Sequence, residues 1–444
     1  MALSFVGSLA VGVAFVSTLR RNAALWVKLS CGVQVACPLI ASLGLFASGQ
    51  VIPGVILLVF SGLAALALYL WRFQLAMVAR LLTVSSTALA ANPQLVPCTI
   101  GIAVVSVAYS VPMVGFIVAS VRVGGVVPSA MVASTATSTA GSLVCLDSNG
   151  SQTPCCAWQV APAAAAYIAL ASLALSWAAA LAYEVRTFSI SYVVQRWFYT
   201  PLGTPPQGKP VREALALATG PSFGSLCYGS AILTAANMAR SAANNSRERG
   251  ENILSCLVRA LVACVAELLE LMTRFATVRI AATGESFMDG ARQVVAILSR
   301  NALNTYAVWT FPSTILAFTS LAVGLSFAAF VTLLYLAVGS AVVSGASQGA
   351  HADASSALSS LALAVAGGSF ALSVVVVSFL SSILMTVIEA CYVCYASDLD
   401  TQCVSQPEVH QVFAAVPNVH APGNLVQQPD GEVGYAPSVA ARNH

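Results

Sequence analysis

Charge is scarce in this sequence. Acidic and basic residues together make up 8% of 444 positions, about a third of the share a soluble domain carries. Histidine is rarer: His351, His410, His420 and His444 are the full set, none stands inside an apolar run, and no zinc-ligand spacing occurs. There is no glycine-rich phosphate loop and no nucleophile elbow. A short Asp-Gly-Ala-Arg stretch at 289–292 lacks the downstream aspartates that metal-dependent phosphotransfer would use. These absences argue against an enzyme, and they predict a chain with no cofactor, no metal and no nucleic-acid partner.

What is abundant is apolar surface. Hydrophobic residues reach 58% and the mean hydropathy is +0.84. A bilayer span needs about 20 mostly apolar residues, and only helices or closed barrels satisfy their backbone there. The apolar runs are long and do not alternate at period two, which predicts an all-α, polytopic helical bundle of about 10 transmembrane helices in the lipid bilayer. Spans are expected near 3–19, 31–48, 52–71, 95–120 and 160–183, with an amphipathic segment at 188–199. Further spans follow at 214–238, 253–272, 311–338 and 361–396, and a semi-polar helix at 279–298.

Arg20, Arg21 and Lys28 follow the first span, the reverse of a cleaved signal peptide. Short basic loops stay cytoplasmic, so that turn and the segment holding Arg72 and Arg80 are expected inside. The loop at 122–157 then faces outward. It carries the sequon Asn149-Gly150-Ser151 with Cys145, Cys155 and Cys156, which suits a disulfide-permissive face and makes Asn149 a candidate glycosylation acceptor. From Ser397 the sequence turns polar and proline-rich, so residues 1–396 read as the transmembrane domain and 397–444 as a disordered tail.

Glu389 is the only acidic residue between Asp353 and Asp398. In lipid a carboxylate costs roughly 2.5 kcal/mol or more on insertion scales, so it faces a polar cavity or a partner. Pairing with Arg274 or Arg279 would account for it structurally; a cationic solute would account for it functionally. Glu267 and Glu270 precede Arg274 by one or two turns, which predicts an intrahelical pair. Aromatic residues cluster around the fifth span and its sequel, at Trp177, Tyr183, Tyr192, Trp197, Phe198 and Tyr199, while Tyr392 and Tyr395 stand about one turn beyond Glu389. A quaternary ammonium cannot be held through its nitrogen by hydrogen bonds, whereas aromatic faces and a carboxylate can hold it. The same residue types also anchor helices at bilayer interfaces.

Several blocks together resemble the choline transporter-like proteins, solute carrier family 44. Trp177 and the Trp-Phe-Tyr-Thr of 197–200 are similar to that family's paired tryptophan stretch. The stretch at 220–240, with Ser222, Gly224, Ser225, Gly229, Ser230 and Arg240, resembles its small-residue helix closing in arginine. Gly284, Phe287 and Ala291 match a third block, and Val393, Cys394, Tyr395, Ala396 and Asp398 a fourth. The basic helix and proline-containing segment at 72–101 complete an ordered likeness over about 55–398. Glu389 stands where the family usually has aspartate, Glu184 where asparagine is common, and the large loop after the family's first span is missing.

The resemblance implies a multi-pass transporter, not driven by ATP, for choline or a related alkanolamine such as ethanolamine, in the plasma membrane or an organelle membrane. It implies a small organic cation bound by Trp177, Trp197, Tyr199 and Tyr392, with Glu184 and Glu389 supplying negative charge or proton coupling. The competing expectation is a family member that does not transport and serves as a structural or regulatory membrane protein.

Overall fold

The computed structural model describes residues 2–70, 72–128, 144–146, 152–154, 156–200, 208–245, 253–300, 302–344, 351–401, 404–414, 425–427 and 433–435. The candidate acceptor Asn149 lies outside them. Among the described residues, twelve helices account for nearly all of the structure. Three two-stranded antiparallel ribbons are the remainder.

Helix α1, Ala2–Ala47, is a hairpin rather than a rod. Asn22 has non-helical φ −138° and ψ 47°. Across it the Phe15 and Trp26 rings meet edge to face at 5.2 Å, and the Trp26 indole N–H donates to Thr18 Oγ1 at 3.2 Å. On a straight helix, residues eleven apart would stand about 16 Å apart along the axis. The chain therefore reverses at Asn22, which yields the two spans expected at 3–19 and 31–48 with almost no loop.

After α2 (Val51–Leu70), α3 (Arg72–Ala91) and α4 (Leu95–Val121), the expected outer loop contains a ribbon. Strands β1 (Gly124–Pro128) and β4 (Cys156–Val160) pair in register Gly124↔Val160, and β2 (Val144–Leu146) pairs with β3 (Gln152–Pro154). Helix α5, Pro162–Phe198, joins the expected span at 160–183 and the segment at 188–199 into 37 residues. Proline at the first helical position starts it, and no glycine or proline follows to break it.

The expected span at 214–238 is instead divided. Helix α6 covers Pro210–Thr219 and α7 covers Phe223–Asn245, with Ser222 N–H donating to the Leu217 carbonyl at 3.1 Å across the break. The semi-polar helix expected at 279–298 is also divided. Helix α8 runs Ile253–Thr283, Gly284 ends it at φ +70°, and α9 starts at Phe287 and runs to Arg300. Only glycine takes that left-handed position without steric cost. Ser286 caps α9, its hydroxyl accepting from Asp289 N–H at 3.4 Å.

Helices α10 (Ala302–Ser344) and α11 (His351–Thr401) follow. The tail expected from 397 begins as ordered chain: α11 continues to Thr401 and α12 covers Pro407–Ala414. Beyond these, only the ribbon of β5 (Leu425–Gln427) and β6 (Val433–Tyr435) lies within the described residues.

Six helices among the described residues are long and apolar enough to cross a membrane: Val6–Ala47, Val51–Tyr69, Leu95–Val121, Pro162–Phe198, Pro312–Val338 and Leu361–Leu399. The first of these reverses on itself. Helices α7 and α8, counted among the ten, are 23 and 31 residues long but carry charged residues such as Arg240, Arg259, Glu267 and Arg274. The protein is thus an all-α, multi-pass membrane bundle.

Its chain forms two compact units, one from 1–95, 187–214 and 278–444, the other from 96–186 and 215–277. In the first, α11 packs against α10, α1 and α3. Interhelical hydrogen bonds such as Ser30 Oγ to the Ile315 carbonyl, 3.0 Å, and Ser61 Oγ to the Val35 carbonyl, 2.9 Å, tie the helices where lipid supplies no hydrophobic drive. Gly324 lets α10 approach α11: a Cβ there would stand 2.5 Å from Val374 Cγ2. Gly324→Val is therefore expected to cost about 1–3 kcal/mol by overpacking, read as a lower midpoint of thermal unfolding in detergent.

Candidate functional site

In the first unit, α11 from Val377 to Tyr395 is buried on almost every face, with Ile383, Leu384, Val387, Ile388 and Ala390 at 0–1% exposure. A helix apolar all round belongs in a core. Glu389 sits in the middle of that stretch at 2% exposure, followed one turn on by Tyr392 at 5%. Its carboxylate is therefore enclosed by protein rather than by lipid. Arg279, one of its two candidate partners, reaches the Ser397 hydroxyl with Nη1 at 3.5 Å. Ser397 is eight residues beyond Glu389, about 12 Å along the helix.

The end of α11 is fastened by its own continuation. Asp398, 2% exposed, accepts from Ser405 N–H at 2.9 Å, from Ser405 Oγ at 3.1 Å, and pairs with His410 Nε2 at 3.0 Å. The His410 ring also packs edge-on against Tyr395 at 4.9 Å. Near this end lies Tyr199, exposed on its ring and hydrogen-bonded through its hydroxyl to Ser397; partial burial pushes that hydroxyl above its ordinary range, so it remains protonated at neutral pH. Trp197 is half-buried on the preceding turn.

One set of residues escaped the sequence reading. Thr187, Ser191 and Gln195 are buried and recur every four residues on one face of α5. Gln195 Nε2 donates to the Val278 carbonyl at 2.7 Å. Yet among the described residues Thr187 Oγ1, Ser191 Oγ and Gln195 Oε1 have no hydrogen-bond partner. Hydroxyls on a helix ordinarily bond the carbonyl one turn back, and a buried group left unsatisfied costs about 1–3 kcal/mol. The four-residue period of Thr187, Ser191 and Gln195 was the available signal.

The second unit holds the remaining candidates. Glu184 is fully buried and accepts from the Thr277 hydroxyl. The neighbouring Tyr183 ring has two guanidinium groups over it, Arg186 and Arg274, each 5.1 Å from the centroid. Arg274 also makes the expected intrahelical pair with Glu270 at 3.3 Å. Trp177, 42% exposed, lines an apolar groove of about 380 Å³ with Leu170, Thr234 and Met238.

The candidates thus fall into two groups. Glu389, Tyr392, Trp197 and Tyr199 belong to the first unit, Trp177 and Glu184 to the second. On the single helix α5, Trp177 and Trp197 are twenty residues apart, about 30 Å of rise. Among the described residues no cluster of His, Cys, Asp or Glu is placed to hold a metal ion.

A family model described as plasma-membrane choline transporter matches residues 55–400. The chain belongs to that family. No curated protein matches it. The matched region closes at the end of α11, just after the carboxylate Asp398.

The Asp398 anchor has a direct test. His410→Ala removes one hydrogen bond and the Tyr395 ring contact, so α12 is expected to detach and the peptide bonds after Thr401 to be cut several-fold faster in limited proteolysis, with α11 itself protected.

Proposed function

We propose that this choline transporter-family protein carries choline or ethanolamine across the plasma membrane, without ATP, through alternating rearrangement of its helices. One observation carries the reading: Glu389, 2% exposed, on a helix enclosed by protein on nearly every face. Burying a carboxylate in such surroundings is unfavourable unless a cation or hydrogen-bond donors offset it. An amino alcohol presents both, an ammonium for the carboxylate and aromatic faces, and a hydroxyl for acceptors.

In this reading Glu389 balances the ammonium and Tyr392 lies one turn away on the same helix. In the first unit Trp197 and Tyr199 offer aromatic faces to the cation, and in the second Trp177 does. The unsatisfied oxygens of Thr187, Ser191 and Gln195 suit the substrate hydroxyl, the Gln195 amide being oriented by its bond to Val278. Glu184, held by Thr277, supplies negative charge in the second unit. Protonation of Glu389 when no cation is bound would couple transport to protons. The unsatisfied buried oxygens on α5 favour a solute over a purely structural or regulatory role.

Uptake of radiolabelled choline by surface-expressed protein tests the site. Glu389→Gln is expected to abolish saturable uptake, and Trp177→Ala to weaken it roughly two- to thirtyfold, the range of a cation–π contact. Unchanged uptake in both variants would overturn the assignment. Gln195→Leu is expected to reduce competition by choline about three- to tenfold while leaving competition by ethyltrimethylammonium, which lacks the hydroxyl, unaltered. A wild-type protein that shows neither saturable uptake nor choline-dependent thermal stabilisation would support the structural role instead.

A further inference from the structure

Between the two arms of the α1 hairpin and α10 lies an apolar cavity of about 490 Å³. Trp26, Leu29, Val33 and Cys37 form one wall along the second arm, and Phe327 and Phe330 stand on α10. From Trp26 to Cys37 is eleven residues, about 16 Å of helical rise, so the cavity is a groove running along the helix. Leu29 and Phe330 are 47% and 64% exposed, which leaves it open to the bilayer.

The polar atoms in its lining are already used. The Trp26 indole N–H donates to Thr18 Oγ1, and the Ser326 hydroxyl donates to the Ala322 carbonyl at 2.8 Å. A polar solute such as an amino alcohol would find no hydrogen bond there, whereas a hydrocarbon chain needs none. One end of the groove is different. Trp26 lies four residues from the reversal at Asn22, and the exposed side chains of Arg20, Arg21 and Lys28 flank that turn. No acidic residue precedes Asp147 in the chain, so nothing local in sequence neutralises them.

We propose that this groove is a binding site for an anionic glycerophospholipid, with one acyl chain lying along Trp26, Leu29, Val33 and Cys37 and the phosphate-bearing headgroup against Arg20, Arg21 and Lys28. The basic turn selects the headgroup and the satisfied, apolar wall selects the chain. By the positive-inside rule the turn faces the cytoplasm, the side on which anionic lipids concentrate. Trp26 stands where a tryptophan prefers to be, at the boundary between chain and headgroup. The occupant also acts as a wedge between the hairpin and α10, so its binding stabilises the first unit and is independent of which solute the protein carries.

The test uses the full chain reconstituted in vesicles with phosphatidylserine or phosphatidylcholine whose acyl chains are brominated to quench tryptophan. The Trp26 contribution is the part lost in Trp26→Phe. Brominated phosphatidylserine is expected to quench it at about a tenfold lower mole fraction than brominated phosphatidylcholine. The triple change of Arg20, Arg21 and Lys28 to Gln should erase that preference without abolishing quenching. In a second measurement that needs no variant, added phosphatidylserine should raise the unfolding temperature of the detergent-purified protein more than phosphatidylcholine does. Equal quenching by the two lipids, a preference that survives the triple change, or equal thermal shifts would each overturn the proposal, leaving an unselective lipid-facing groove.

Discussion

A helix enclosed on nearly all sides makes demands that no lipid-facing helix makes. From Val377 to Tyr395, α11 has protein rather than hydrocarbon around it, so each side chain must find a shaped neighbour. Glycines in the surrounding helices answer this. A Cβ at Gly12 would stand 2.8 Å from Leu380 Cδ1, and Gly324 plays the same part from α10. These glycines let α1 and α10 approach α11 closely on the stretch before Glu389.

Elsewhere the surface is left to the bilayer. Helix α2 exposes Ile52, Ile56, Phe60 and Leu63, and α4 exposes Val104, Val105, Val111 and Phe116. In water such continuous patches would drive association; in hydrocarbon they cost nothing. Charge meets a partner where Arg196 and Glu213 join the end of α5 to the start of α6.

The helical class, the first two spans and the α11 carboxylate were legible because they follow from composition and from apolar run length. Element joints were less so. The amphipathic segment at 188–199 looked separate since its polar residues interrupt the apolar run, but nothing in it breaks a helix. The reverse holds at Gly284, where the backbone's left-handed conformation ends the helix. The polar face of Thr187, Ser191 and Gln195 was visible as a period, but its unsatisfied oxygens depend on what packs over it. The Asp398–His410 contact spans twelve residues of proline-bearing chain, and no local pattern announces it.

That last contact carries a consequence for how the protein is made. Asp398 closes the most enclosed helix of the first unit, yet three of its hydrogen bonds come from Ser405 and His410, residues synthesised after it. Until they leave the ribosome, a carboxylate destined for the interior lacks its main donors. A chain interrupted shortly after α11 would retain every apolar span and still carry an electrostatic fault at the end of that helix, a local mark by which quality control could tell an unfinished product from a finished one.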